Sequence, residues 1–183
     1  ADLAQVVLLG SASCDGLTSG GVLPIIKHIP GHGRALSDSH KSLPIVSASL
    51  KELQKTDFKI FKNLSHQPIA MTAHIIFTAI DDVYPATVSK IIIKDIVRGY
   101  MNFSGLLISD DISDNMAALK GGVAERAKAA LSAGCDVVLH CNGNIKDLPD
   151  LISGTRKLSD ISLNRWSRAI KTLNPVTTID TEL

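Results

Sequence analysis

The residues best suited to chemistry gather at the ends of four short apolar runs. Lys27-His28 closes the first run (22–27) and opens a turn-rich loop, Ile29-Pro30-Gly31-His32-Gly33, that continues to Asp38-Ser39-His40. His74 sits near the end of the second (68–76), Asp110-Asp111 follows the third (105–109), and His140 with Asn142 marks the end of the fourth (135–141). Imidazoles, an ammonium and carboxylates in such places can hold a polar substrate, transfer protons and supply a nucleophile. Asp38-Ser39-His40 reads in two ways: a local turn or helix cap, or an imidazole oriented and kept basic by a carboxylate. Side-chain alternation sends Asp110 and Asp111 in different directions, so one can face a strand-end cavity while the other supports it. A carboxylate buried there needs a partner or a task. His28 and His32 have an HxxxH spacing, but a zinc pair at that spacing needs a helix, and Pro30, Gly31 and Gly33 forbid one. No metal and no cofactor is therefore expected. Gly20-Gly21 and Gly121-Gly122 do not form phosphate cradles, and Ser11, Ser13 and Ser19 lack the spacing of a serine nucleophile.

Alternating apolar runs and helical patterns must position these groups. A helix over 2–18 is stopped by Gly20-Gly21, and a strand follows over 22–27. Ser47, with Glu52 nearby, opens a helix that reaches about residue 63. A second strand over 68–76 leads to a helix from Pro85 to Tyr100. A third strand over 105–109 is followed by a helix over 123–133 capped by Gly134. The fourth strand, 135–141, leads to helices over 146–158 and 162–173. Strands that are apolar throughout and alternate with helices indicate an α/β fold with a parallel sheet. Such units build an open doubly wound sheet or a (β/α)8 barrel, and both place their sites beyond the C-terminal strand ends. Four units are half of a barrel that takes about 250 residues. The expectation is one domain over 1–183, a partial barrel of TIM type.

With 183 residues, 45% of them hydrophobic, the chain can bury a core. A net charge of +1 leaves no electrostatic footprint for nucleic acid or an anionic membrane. No apolar run approaches the roughly 18 residues that span a bilayer, and no signal-peptide pattern is read before the first helix. Cys14, Cys135 and Cys141, without CxxC spacing, read as buried free thiols of a reducing, cytoplasmic compartment.

KHIPGHG (27–33), DSH (38–40), MTAHI (71–75), SDD (109–111) and AGCDVVLHCNG (133–143) together resemble glycoside hydrolase family 3. Within it they are similar to the bacterial β-N-acetylglucosaminidases of peptidoglycan recycling. The resemblance covers about residues 12–170. It implies retaining exo-hydrolysis of terminal N-acetylglucosamine from muropeptides through a covalent glycosyl-enzyme. Asp110 would be the nucleophile, and His40, paired with Asp38, the acid and then the base. Lys27 and His28, with His74 at the strand end, would contact the sugar. Asp114 stands where relatives often carry Met.

The family's earlier strands have no counterpart, so the chain is expected to be the C-terminal half of the barrel. Its partners would be an N-acetylglucosamine-containing saccharide and either its own N-terminal half or a second copy of itself. Two alternatives stand beside hydrolysis: a non-catalytic half-barrel, and an N-acetylglucosaminide phosphorylase, since a spent imidazole repels phosphate less than a carboxylate does.

Overall fold

The structure is a computed structural model that describes residues 2–37, 42–113 and 119–173. Four strands, β1 (Ile25–Ile29), β3 (Ile69–Thr72), β5 (Leu106–Asp111) and β6 (Val137–Leu139), form one parallel sheet in the order β1-β3-β5-β6. Each strand pairs with the next in chain order and the order never reverses, the arrangement of a barrel wall rather than of a doubly wound sheet. The chain is thus an α/β partial barrel. Two short strands, β2 (Ile45–Val46) and β4 (Ile76–Phe77), form a separate parallel pair beside it.

The helices begin where local chemistry satisfies their first N–H groups. Asp2 accepts from the Ala4 N–H at 3.0 Å to start α1 (Leu3–Ser19), which ends at Gly20-Gly21. Ser49, two residues later than expected, caps α2 (Leu50–Lys55) through the Glu52 N–H. The single helix expected to reach residue 63 is two, because the chain breaks at Thr56 before α3 (Asp57–Asn63). The Thr56 hydroxyl lies 2.8 Å from the Glu52 carbonyl and 2.7 Å from Asp57 Oδ2, and accepts from Arg34, local bonds that compete with helix continuation. The strand expected over 68–76 also divides: β3 stays in the main sheet, and β4 leaves it to pair with β2. From Pro85, a 3₁₀ turn (Ala86–Val88) precedes a wider-wound helix (Ile92–Tyr100) started by the Ser89 hydroxyl, which accepts from the Ile92 N–H. Helix α4 (Val123–Ala133) matches its expected range and ends at Gly134 in the left-handed region, φ 123°. Helices α5 (Leu148–Gly154) and α6 (Asp160–Lys171) follow.

The main core lies between the sheet and its helices. Ile26, Ile29, Ala70 and Leu107 pack with Phe58, Phe77, Ile92, Val97 and Met101, and the Phe58 and Phe77 rings meet edge to face at 5.7 Å. A smaller cluster of Ile69, Leu106 and Ala169 seats α6 against the sheet.

At the N-terminal end of β6 one buried carboxylate ties four elements together. Asp136 Oδ2 accepts from Arg98 and the Leu107 N–H, each at 2.9 Å; Oδ1 accepts from Arg165 at 2.8 Å and the Ser162 hydroxyl at 2.7 Å. Burial, with Arg165 nearby, lowers the Arg98 guanidinium to about 10 against the pull of Asp136, so it stays charged at neutral pH. Removing the carboxylate leaves two guanidinium groups facing each other. We expect Asp136→Ala to cost about 3 kcal/mol of folding stability or more, read from the chemical denaturation midpoint at constant slope.

Candidate active site

The site is assembled at the opposite, C-terminal end of the sheet. There β1 presents Lys27 and His28, β3 ends in Thr72 with His74 just beyond, β5 supplies Asp110 and Asp111, and the loop after β6 carries His140 and Cys141. The Lys27–His28 and Ile29–Pro30 peptide bonds are both cis.

Alternation separates the two aspartates as the sequence implies. Asp111 turns inward and is 8% exposed. Its Oδ1 accepts from the Ser113 and Cys141 N–H groups, each at 2.9 Å, and its Oδ2 from the Ser113 hydroxyl at 2.6 Å. Burial pushes this carboxyl upward, but the bonds from Ser113 and Cys141, with His140 nearby, hold it below its ordinary range. Asp111 is therefore a fixed anion that tethers the loop after β6 to β5. Asp110 is the more accessible member of the pair. Its Oδ1 accepts the Asp111 N–H at 2.8 Å, while its Oδ2 lies 3.9 Å from His28 Nε2. That separation is too long for a direct hydrogen bond and leaves the oxygen available to a third group. One carboxylate oxygen is held and the other is presented.

His28 supplies a neutral imidazole beside it. Burial lowers the His28 ring, outweighing the attraction of Asp110, and Lys27, His32 and His74 push in the same direction as burial. The His28 and His32 rings lie 5.5 Å apart and tilted. Both histidines and Lys27 line a cavity of about 440 Å³ that runs along β1 between α1 and α3, with Asp57, Phe61 and Leu64 among its other walls. Asp110 is not among its lining residues, but His28, which is, lies 3.9 Å from the Asp110 carboxylate. The loop from His32 is pinned by Arg34, which bonds Asp57 at 2.7 Å and Glu52 at 2.8 Å.

His74 is placed differently from the expected sugar contact. It is fully buried, with Nδ1 at 2.8 Å from the Thr87 hydroxyl and Nε2 at 2.7 Å from the Asp111 carbonyl oxygen. Both ring nitrogens are engaged inside the fold, so the ring has no free polar atom to offer a ligand. Asp38, His40 and Asp114 lie outside the described residues. Cys14 and Cys135 are buried free thiols as expected, but Cys141 is exposed because it lies in the loop just past β6. Thr72 and Thr87, which hold this arrangement from below, carried no signal in the sequence. In that loop Asp147 gathers His140 (3.1 Å), Asn142 (2.9 Å) and Asn144 (3.0 Å).

Residues 1–172 match the family model described as the glycosyl hydrolase family 3 N-terminal domain. The chain belongs to glycoside hydrolase family 3. It is 39% identical over 181 residues to a β-hexosaminidase of Tolumonas auensis, covering 93% of this chain and 54% of that protein. Among solved structures it is similar to NagZ from Neisseria gonorrhoeae in complex with N-trifluoroacetyl-D-glucosamine, with a TM-score of 0.74 and 35% identity over 89% of this chain and 47% of that one. It is also similar to a family 3 β-N-acetylglucosaminidase from Paenibacillus, with a TM-score of 0.79 and 27% identity over 96% of this chain and 36% of that one. The chain spans about half the length of the curated relatives it matches.

The buried His74 and the half-buried His28 make the fold sensitive to acid. His28 and His74 both titrate below the ordinary value of 6.5 when folded, chiefly through burial. The unfolded chain therefore takes up their protons first as pH falls, and the stability present above about 6.5 is lost below it. Asp111 acts only lower, beneath the ordinary 3.8 of a carboxyl. Thermal midpoints should be level from pH 8 to 7 and fall between 6.5 and 5; a midpoint that rises with acid would contradict the burial of these rings.

Proposed function

We propose that this chain carries the nucleophile-bearing part of a retaining exo-β-N-acetylglucosaminidase site. The observation that supports it is the division of labour in Asp110: Oδ1 held by the Asp111 N–H, Oδ2 3.9 Å from a neutral imidazole and beyond direct hydrogen-bond reach of it. A nucleophilic carboxylate needs such a rigid mount and one unencumbered oxygen. The names of the relatives, β-hexosaminidase and β-N-acetylglucosaminidase, supply the substrate class, and the resemblance drawn from the motifs brings muropeptide fragments as the natural source.

In this reading Asp110 Oδ2 bonds to the anomeric carbon as the bond to the leaving oxygen breaks. His40, oriented by Asp38, gives that oxygen its proton. Water then adds to the anomeric carbon, returning a proton to His40 as the Asp110 ester bond breaks. Lys27 and the neutral His28 hold sugar hydroxyls, Lys27 as a donor and His28 as donor or acceptor. The cytoplasm is the compartment of such recycling chemistry.

Replacing the nucleophile tests the reading. Asp110→Ala should abolish release of an aryl N-acetylglucosaminide, by about 10⁴-fold or more, and prevent capture of a 2-fluoro-glycosyl adduct on the protein by mass spectrometry. Capture of that adduct on another residue would sink the assignment.

The sheet also favours a partner. Among the described residues β1 and β6 each pair on one side only. Leu8 and Leu9 of α1 are 68% and 62% exposed, and Ile161 and Leu163 of α6 are 64% and 51% exposed. Open edges at both ends of the wall, with exposed apolar side chains on α1 and α6, suit closure by the complementary part of a barrel or by a second copy. Light scattering of the chain alone should reveal a self-associated species. Should it stay a monomer, mixing with a segment that carries the preceding strands of a relative should give a defined one-to-one complex with higher turnover. If neither species forms, nothing closes the wall and the completion idea fails.

A further inference from the structure

Thr72, Thr87 and His74 form a buried chain that starts and ends on the backbone of the two aspartates. The Asp110 N–H donates to Thr72 Oγ1 at 3.1 Å. Thr72 Oγ1 lies 2.8 Å from Thr87 Oγ1, which lies 2.8 Å from His74 Nδ1. His74 Nε2 lies 2.7 Å from the Asp111 carbonyl oxygen.

The chemistry of the last link sets the direction of all the others. A carbonyl oxygen only accepts, so Nε2 carries a proton. In a neutral ring Nδ1 is then an acceptor, the Thr87 hydroxyl donates to it, and the Thr72 hydroxyl donates to Thr87. All four bonds run the same way and no donor meets a donor. A competing acceptor, the Ala73 carbonyl, lies 3.0 Å from Thr87 Oγ1. Were the Thr87 hydroxyl turned wholly to that carbonyl, a neutral Nδ1 would face an oxygen lone pair without a donor; the cost vanishes when Nδ1 takes a second proton and donates instead. Burial opposes that second proton, as does Arg126; Asp110, Asp111 and the Asp111 carbonyl favour it, and burial is the largest influence.

We propose that His74, held by Thr87 as the neutral Nε2–H tautomer, is a positioning residue for Asp110. With Thr72 it fixes the Asp110 N–H and the Asp111 carbonyl, the first and last polar groups of the dipeptide backbone that contains the Asp111 N–H. That N–H is thereby aimed at Asp110 Oδ1, and Oδ2 is left on the His28 side, outside direct hydrogen-bond distance of that ring. The functional part of this inference rests on Asp110 being the nucleophile; the hydrogen-bonded clamp itself does not.

Imidazole ¹⁵N spectra and amide hydrogen exchange of the intact chain test the clamp without requiring turnover. In the wild type His74 should give one protonated and one unprotonated ring nitrogen at pH 7.5, with the proton on Nε2. Thr87→Val, which removes the central hydroxyl at nearly constant shape, should lose that signature and speed exchange of the Asp110 amide about tenfold relative to the rest of β5. Thr87→Ser should restore both. On an aryl N-acetylglucosaminide, Thr87→Val should lower kcat about tenfold with KM within about twofold of wild type, as expected when a reacting group loses its alignment rather than its substrate. An imidazolium or an Nδ1–H tautomer at neutral pH would overturn the proposal. So would exchange that rises evenly through β3, β5 and β6, which marks lost stability alone. Absent turnover both of the chain alone and of its complex with the preceding strands, with the spectra as expected, would count against the glycosidase reading and leave the clamp in place.

Discussion

Everything at the C-terminal end of this sheet depends on how two successive carboxylates are accommodated at the end of one apolar strand. A carboxylate there must be compensated, and the two solutions differ. Asp111 is compensated completely, by two backbone N–H groups and a hydroxyl, and becomes part of the framework. Asp110 is compensated on one oxygen only. The asymmetry follows from strand alternation, which turns one side chain into the fold and the other toward the strand-end opening.

The two ends of the sheet divide stability from chemistry. At the N-terminal end Asp136 meets four donors and binds β6, α6, the Ile92–Tyr100 helix end and β5 into one unit. Both oxygens of that carboxylate are taken up by the fold. At the other end the same residue type is left partly unsatisfied, next to histidines whose rings burial keeps neutral. Parallel strands make this division natural, because their loops of functional residues all emerge on one side.

The wall that carries the site is open on both sides among the described residues. Its outermost strands each have one unpaired edge among the described residues, and its flanking helices display leucine and isoleucine side chains to solvent. A closed barrel has no such edges. The cavity along the free-edge strand β1 is walled by α1 and α3, and Lys27 and His28 are among its lining residues.

Much of this was legible in the chain itself. The apolar run ending in Asp110-Asp111 located the end of β5, whereas Lys27-His28 fall inside β1, which starts three residues later than the expected strand, because an edge strand with an exposed face admits polar side chains along its length. The α4 helix, with Gly134 as its stop, was readable from local propensity alone. The breaks at Thr56 and after Thr72 were not, since they follow from side-chain bonds to Arg34 and Asp57 and from the pairing of β4 with β2. His74 marks the boundary most clearly. Its place at a strand end suggested contact with a ligand, yet its partners are Thr87, 13 residues away, and the Asp111 carbonyl, 37 residues away. Residue type and local periodicity determine which groups arrive at the strand ends; only long-range packing decides which point to solvent and which are bound beneath them.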